Sequence, residues 1–389
     1  MKKILFVTRQ LIVGGTEFAL YETVKLLSSP DTEITVVVMK SGGALYKDFE
    51  QFCTIYDLSK EYENAVITRD SLKKDLKKLR LISFVKKLTF KLLEKNVYSH
   101  FEFKNSISKR LPIMDERYDV AVAYYAPYAS MEPFVINNTN AKKKLAWIHC
   151  DVSNYIKNTD VTDFSTCYEK FDKIICVSNA CRDAFIKRHP SLTEKAETIY
   201  TPIDTDKIIK LSQEAPAYAP ARNQIKICSI GRLSHEKGFD LAARAHKILK
   251  DRGYTINWFV CGDGEHRNPV ESLITEHGLD NQFVLLGSQK NPYQYINAAD
   301  IYVQPSLTES YCLALAEARA LKKPIVTTNF PCASEHVIDG HNGFICEMTP
   351  ESVADAIEKL ILSPELREKF SNNTTPVDAD HTKLKQLFE

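Results

Sequence analysis

The chain has 389 residues, 44% of them hydrophobic, which suffices for two or three domains with cores of their own. A formal net charge of +1 argues against a general nucleic-acid binder, and no apolar run approaches the roughly 18 residues that a spanning helix needs. Ten cysteines form no C-x2-C pair, and most sit in apolar runs such as Ile174-Ile175-Cys176-Val177, so they read as reduced core residues of a cytosolic protein.

The opening Met1-Lys2-Lys3-Ile4-Leu5-Phe6-Val7 looks like the start of a signal peptide, but its apolar run stops at Thr8-Arg9-Gln10. It is expected to be a first strand. A loop over 10–15, a helix over 17–27 and a second strand over 34–39 complete a Rossmann-like opening. Gly14-Gly15 is not G-x-G-x-x-G, and no acidic residue closes the second strand, so a dinucleotide cofactor is disfavoured. The glycine pair reads as a tight strand-to-helix turn.

Residues 69–110 hold 13 Lys or Arg against 4 Asp or Glu, above leucines at roughly helical spacing. Such a helix can lie on an anionic membrane surface or pack its leucines on a soluble core. Further strands are expected over 118–124, 144–149 and 172–178, with a helix over 179–188. His149-Cys150-Asp151 leaves the second of these into a polar loop. Pro202 and the Pro- and Ala-rich stretch 212–223 mark a junction, with a hinge expected within 200–223.

The second half restarts with a strand over 225–230, followed by Gly231-Arg232-Leu233-Ser234-His235-Glu236-Lys237-Gly238. Arg232 and Lys237 are two cations flanking a turn, at a spacing suited to clamping a diphosphate. Strands over 257–261 and 283–286 end at Gly262-Asp263-Gly264-Glu265 and Gly287-Ser288-Gln289-Lys290-Asn291. The most specific stretch follows: a strand over 301–303, a polar loop over 304–310, a helix with apolar Leu313, Ala316 and Ala320, and a strand over 324–328. This βαβ unit puts the loop and helix start at the carboxyl edge of a parallel sheet, where α/β folds bind ligands. Glu309 lies just before the helix and Glu317 about two turns inside it, on the order of 10 Å apart. Between them stand the amide groups of Ser310, Tyr311, Cys312 and Leu313, suited to a phosphate, with a carboxylate on either side to accept from flanking hydroxyls. A surface glutamate and a helix glutamate in a salt bridge would be the plain alternative. Helices over 350–362 and 364–370 close the chain's second half.

The E-x7-E spacing after a strand, with GRLSHEKGFD upstream and HVIDGHNGFI downstream, resembles the donor domain of retaining glycosyltransferases of family 4, of the bacterial surface-polysaccharide type. The resemblance covers 1–365, strongly over 225–347 and weakly over 55–140. It departs where many relatives read Glu-Gly-Phe-Gly-Leu and this chain reads Glu309-Ser310-Tyr311-Cys312-Leu313. The resemblance implies an α/β GT-B fold: two Rossmann-like domains whose parallel sheets face across a cleft. Residues 1–200 would bind acceptor, 201–370 would bind the nucleotide-sugar donor, and the tail 371–389 would cross back to the first domain.

On the same resemblance, Glu309 and His149 would be catalytic. Arg232, Lys237, Glu317, Ser310, Tyr311, Cys312, Leu313, Gly14, Gly15 and Gly287 would bind donor, and Asp151 is a weaker candidate beside His149. The donor would be a UDP-sugar and the acceptor a glycan or lipid-linked glycan. No cofactor is expected: no strand-associated D-x-D is present, Asp204-Thr205-Asp206 lying at the junction and Asp378-Ala379-Asp380 in a polar tail, and no His/Cys/Asp cluster has metal spacing. The protein is expected in the cytoplasm, with peripheral contact at the inner membrane face if 69–110 provides it. A nucleotide-sugar 2-epimerase on the same fold and a non-catalytic sugar-nucleotide binder are the competing readings.

Overall fold

The computed structural model describes residues 1–66, 85, 100–127, 129–150, 152, 164–216, 224–377 and 381–389. The chain divides into two compact units: Met1–Pro202 with Asp380–Glu389, and Ile203–Ala379. Most of the basic stretch 69–110, together with Asp151 and residues 217–223 of the expected hinge, lies outside the described residues. The other end of that hinge is regular structure, since Thr205–Ser212 is a helix capped by the Asp204 carboxylate on the Lys207 N–H. Among the described residues, no helix is long and apolar enough to cross a membrane.

The first unit is built on seven parallel strands: β1 (Lys2–Thr8), β2 (Thr32–Val38), β3 (Thr54–Asp57), β4 (Met114–Ala126), β5 (Thr139–Ile148), β6 (Lys173–Cys176) and β7 (Ala196–Thr198). Their order is β3-β2-β1-β4-β5-β6-β7. The near-continuous apolar runs of β1, β2 and β4 are explained by burial on both faces. The last helix, His381–Leu387, belongs to this unit. Phe388 sets its ring 5.6 Å from Phe6 and 6.5 Å from Trp147, and Lys143 Nζ donates to the Leu387 carbonyl at 2.6 Å.

The second unit carries six parallel strands: β8 (Ile225–Ile230), β9 (Ile256–Cys261), β10 (Phe283–Leu285), β11 (Ile301–Gln304), β12 (Ile325–Thr328) and β13 (Gly343–Cys346). Their order, β10-β9-β8-β11-β12-β13, reverses direction between β8 and β11. Chain connections run outward to either side of that pair, so the loops after β8 and β11 leave the sheet side by side at its carboxyl edge. Helices Phe239–Asp251 and Pro350–Leu362 cover the sheet, their apolar stripes meeting Trp258, Val260, Ile301 and Val326 in one core.

Among the polar residues buried in this unit is a histidine. His246, on the helix Phe239–Asp251, is fully buried between the rings of Trp258 (6.1 Å) and Phe283 (5.9 Å), and neither ring nitrogen has a partner among the described residues. Burial, helped by nearby Lys250, depresses its pKa from 6.5 to about 3. The folded protein therefore holds it neutral, while the unfolded chain takes up a proton below 6.5. Stability is intact above that pH and falls as pH drops toward 3. Urea denaturation should show a loss of stability between pH 7 and pH 5. His246→Leu should flatten that slope by up to about 1.4 kcal/mol per pH unit; an unchanged slope would mean the ring is not held neutral.

Candidate active site

The site is assembled from the two loops that the strand order brings together. After β8 the chain makes a short 3-10 turn, His235–Lys237, closed by Gly238 in the left-handed region (φ 65°). A Cβ on Gly238 would lie 2.0 Å from the Pro305 carbonyl oxygen, so only glycine lets this turn reach the loop after β11. The two loops are also tied by the Leu307 N–H, which donates to the Glu236 carbonyl at 2.8 Å. As a result Lys237 Nζ meets Glu309 Oε1 at 2.7 Å, the lysine side chain 21% exposed and the glutamate 9%.

Burial works against the Lys237 charge. The opposing fields of Glu309, Cys312 and Glu236, with the Glu309 hydrogen bond, outweigh it, and the pKa is raised. The Ser306 hydroxyl donates to the same Glu309 oxygen at 2.7 Å. Among the described residues no donor is placed on Oε2.

The helix after the loop begins at Leu313, later than the sequence suggests, because Cys312 adopts a left-handed conformation (φ 66°, ψ 74°) as its N-cap. Glu317 is therefore little more than one turn into the helix. Where many relatives have glycine, a cysteine holds a conformation that side chains disfavour. The neighbouring backbone is pinned from the segment after β12. His336 Nε2 donates to the Tyr311 carbonyl, with the two rings 4.8 Å apart, and Cys332 Sγ lies 3.7 Å from the Glu309 carbonyl. Burial depresses His336 to about 4, so the ring is neutral at pH 7.

Glu317 is half-buried and accepts from the Tyr293 hydroxyl at 3.3 Å. Burial raises its pKa to about 7, against the lowering effect of that hydrogen bond. Leu313 opens the helix, and Ser310 and Tyr311 lead into it. Arg232 is not brought to Glu309: its side chain is 68% exposed, 3.8 Å from Glu236. Gly287 (φ 71°) accepts from the Gly262 N–H at 2.9 Å, and Gly262 in turn sits against the Gly231 carbonyl, lining up the ends of β8, β9 and β10.

In the first unit, Gly14 caps the helix Gly15–Leu27 in extended conformation, its carbonyl accepting from the Phe18 N–H at 2.9 Å. His149 follows β5 with its ring 4.5 Å from Tyr124 and stacked on Trp147. Its Nε2 is buried without a partner among the described residues, and burial depresses its pKa to about 3. A neutral imidazole with an open nitrogen can exchange a hydrogen bond with a ligand, but cannot arrive as a cation at neutral pH. Asp151 lies outside the described residues.

Sequence reasoning missed Ser306, Tyr293 and His336. For Ser306 a signal was present, the S-x-x-E spacing of Ser306 and Glu309. Nothing in the sequence near Tyr293 or His336 links them to Glu317 or Tyr311.

Two parallel α/β sheets of these orders define the GT-B fold, and whole-chain structural likeness agrees. A structure of Anabaena Alr3699/HepE in complex with UDP and glucose matches with a TM-score of 0.73 at 18% identity, covering 100% of this chain and 98% of that one. Residues 213–376 match the family Glycosyl transferases group 1. The alpha-D-kanosaminyltransferase of Streptomyces kanamyceticus is 30% identical over 154 residues, 39% of this chain and 40% of that protein. The capsular polysaccharide biosynthesis glycosyltransferase CapM of Staphylococcus aureus is 30% identical over 149 residues, 37% and 38%. The alignments thus span about two fifths of these curated relatives' length.

The two glycines make a contrast that can be measured. Gly287→Ala, with open space at its Cβ, should cost only the left-handed strain of about 1–2 kcal/mol. Gly238→Ala adds a backbone clash and should cost clearly more, read as the larger drop in urea midpoint.

Proposed function

We propose that the protein is a retaining glycosyltransferase that moves a sugar from a UDP-sugar to a glycan or lipid-linked acceptor in surface-polysaccharide synthesis. The observation that carries this reading is the partly buried Lys237–Glu309 pair at the carboxyl edge of the second sheet, beside a helix start. The family match over 213–376 and the similarity to CapM support the reaction class and the polysaccharide setting, and the likeness to a fold seen with UDP and glucose supports the donor.

In this reading the donor diphosphate lies against Lys237 and the amides of Ser310, Tyr311, Cys312 and Leu313, with Arg232 swinging in from the surface and Gly287 near the base. Glu309 accepts from donor-sugar hydroxyls through Oε2, and Glu317 from the ribose. In the first unit, His149 offers Nε2 to the sugar, and Gly14 and Gly15 give backbone access to donor phosphate or acceptor. The C1–O bond to the diphosphate breaks as the acceptor hydroxyl bonds to C1 from the same face, and the acceptor proton passes to the departing phosphate oxygen. The configuration at C1 is retained. Negative charge growing on the leaving group is met by the Lys237 ammonium and the helix dipole, both in place beforehand, so the proposal requires no metal.

Glu309→Ala should lower transfer at least a hundredfold, measured as sugar released or transferred from the UDP-sugar; full activity would remove Glu309 from the site. Glu317 accepts best as a carboxylate, which it is above about pH 7. UDP affinity should therefore fall as pH drops through 7, and Glu317→Gln should be weak and flat with pH. A wild-type affinity independent of pH would contradict the ribose assignment.

A further inference from the structure

The Glu309 carboxylate is served by a line of buried groups that begins in the sheet. The Tyr302 hydroxyl donates to Gln304 Oε1 at 2.7 Å. Gln304 Nε2 donates to Ser306 Oγ at 2.9 Å, and the Ser306 hydroxyl donates to Glu309 Oε1 at 2.7 Å. Tyr302, Gln304 and Ser306 are all fully buried. Every donor in the line points the same way, toward the carboxylate, so each bond polarises the next. Thr328 Oγ1 holds the Ser306 carbonyl from β12, which fixes the serine's place in the loop. The buried tyrosine and glutamine meet polar partners that an apolar strand end would not require.

We infer that Tyr302, Gln304 and Ser306 are positioning residues that, with Lys237, saturate Glu309 Oε1 and leave Oε2 as the one oxygen offered to a donor sugar. A carboxylate free to rotate could offer either oxygen or tilt toward Lys237. With Oε1 taken by two donors, rotation would break both bonds, and the remaining lone pairs keep a fixed direction. The line thus sets which sugar hydroxyl is recognised, and it shares with the proposed diphosphate contacts only Lys237, which keeps its own bond to Oε1. The inference rests on the reading of Glu309 as the donor-sugar group.

The test compares binding of UDP, UDP-glucose and UDP-N-acetylglucosamine by calorimetry in wild type, Ser306→Ala, Gln304→Met and Glu309→Ala. Gln304→Met keeps side-chain length and touches neither Glu309 nor ligand. Both relay variants should bind UDP within about twofold of wild type yet lose about tenfold in affinity for the preferred UDP-sugar, as Glu309→Ala does. If Glu309→Ala alone loses that preference, the relay is overturned and the proposed function stands. Equal losses for UDP and UDP-sugars would show a merely structural role and also overturn it. A wild type that binds none of the three overturns the proposed function, and the relay with it.

Discussion

The approach of Gly238 to the Pro305 carbonyl is the constraint on which the second unit's site depends. It is a backbone-to-backbone contact that any side chain would block, and it seats the Lys237 turn on the Glu309 loop. Once seated, the two side chains meet in surroundings where an unpaired charge would cost about 3–5 kcal/mol, so each holds the other in place. The strand order supplies the rest, because β8 and β11 are adjacent only where the sheet reverses direction. The candidate site at the sheet edge is thus specified by topology first and by one glycine second.

Protonation states follow from the same packing. Burial keeps His149, His246 and His336 neutral through physiological pH, each far below its ordinary 6.5. Lys237 keeps its charge because a carboxylate faces it, and burial pushes Glu317 up to about 7 against the lowering effect of the Tyr293 hydroxyl. Two glutamates eight residues apart therefore present different chemistry: one held as half of an ion pair, one whose charge depends on pH.

Much of this was legible in the sequence. The apolar runs of β8, β11 and β12 and the period of the helix between them announced a βαβ unit, and polar Lys237 and Glu309 stood out at the ends of strands. What escaped was what depends on contacts between distant segments. Cys312 carries none of the signal that glycine gives for a left-handed residue, so the late helix start could not be read from it. Tyr293 and His336 lie 24 and 25 residues from the groups they hold. Arg232 looked like a partner of Lys237, but it precedes the 3-10 turn that carries Lys237 and faces outward, toward Glu236.

The central claim is that the Lys237 ammonium, held by Glu309, binds a nucleotide diphosphate. The direct measurement is the melting temperature of wild type and Lys237→Met with UDP, in the presence and absence of EDTA. A ligand bound only by the folded state raises the melting temperature. The account predicts a rise with UDP in wild type, unchanged by EDTA and lost in Lys237→Met. No rise with UDP, or a rise that EDTA abolishes, would contradict it.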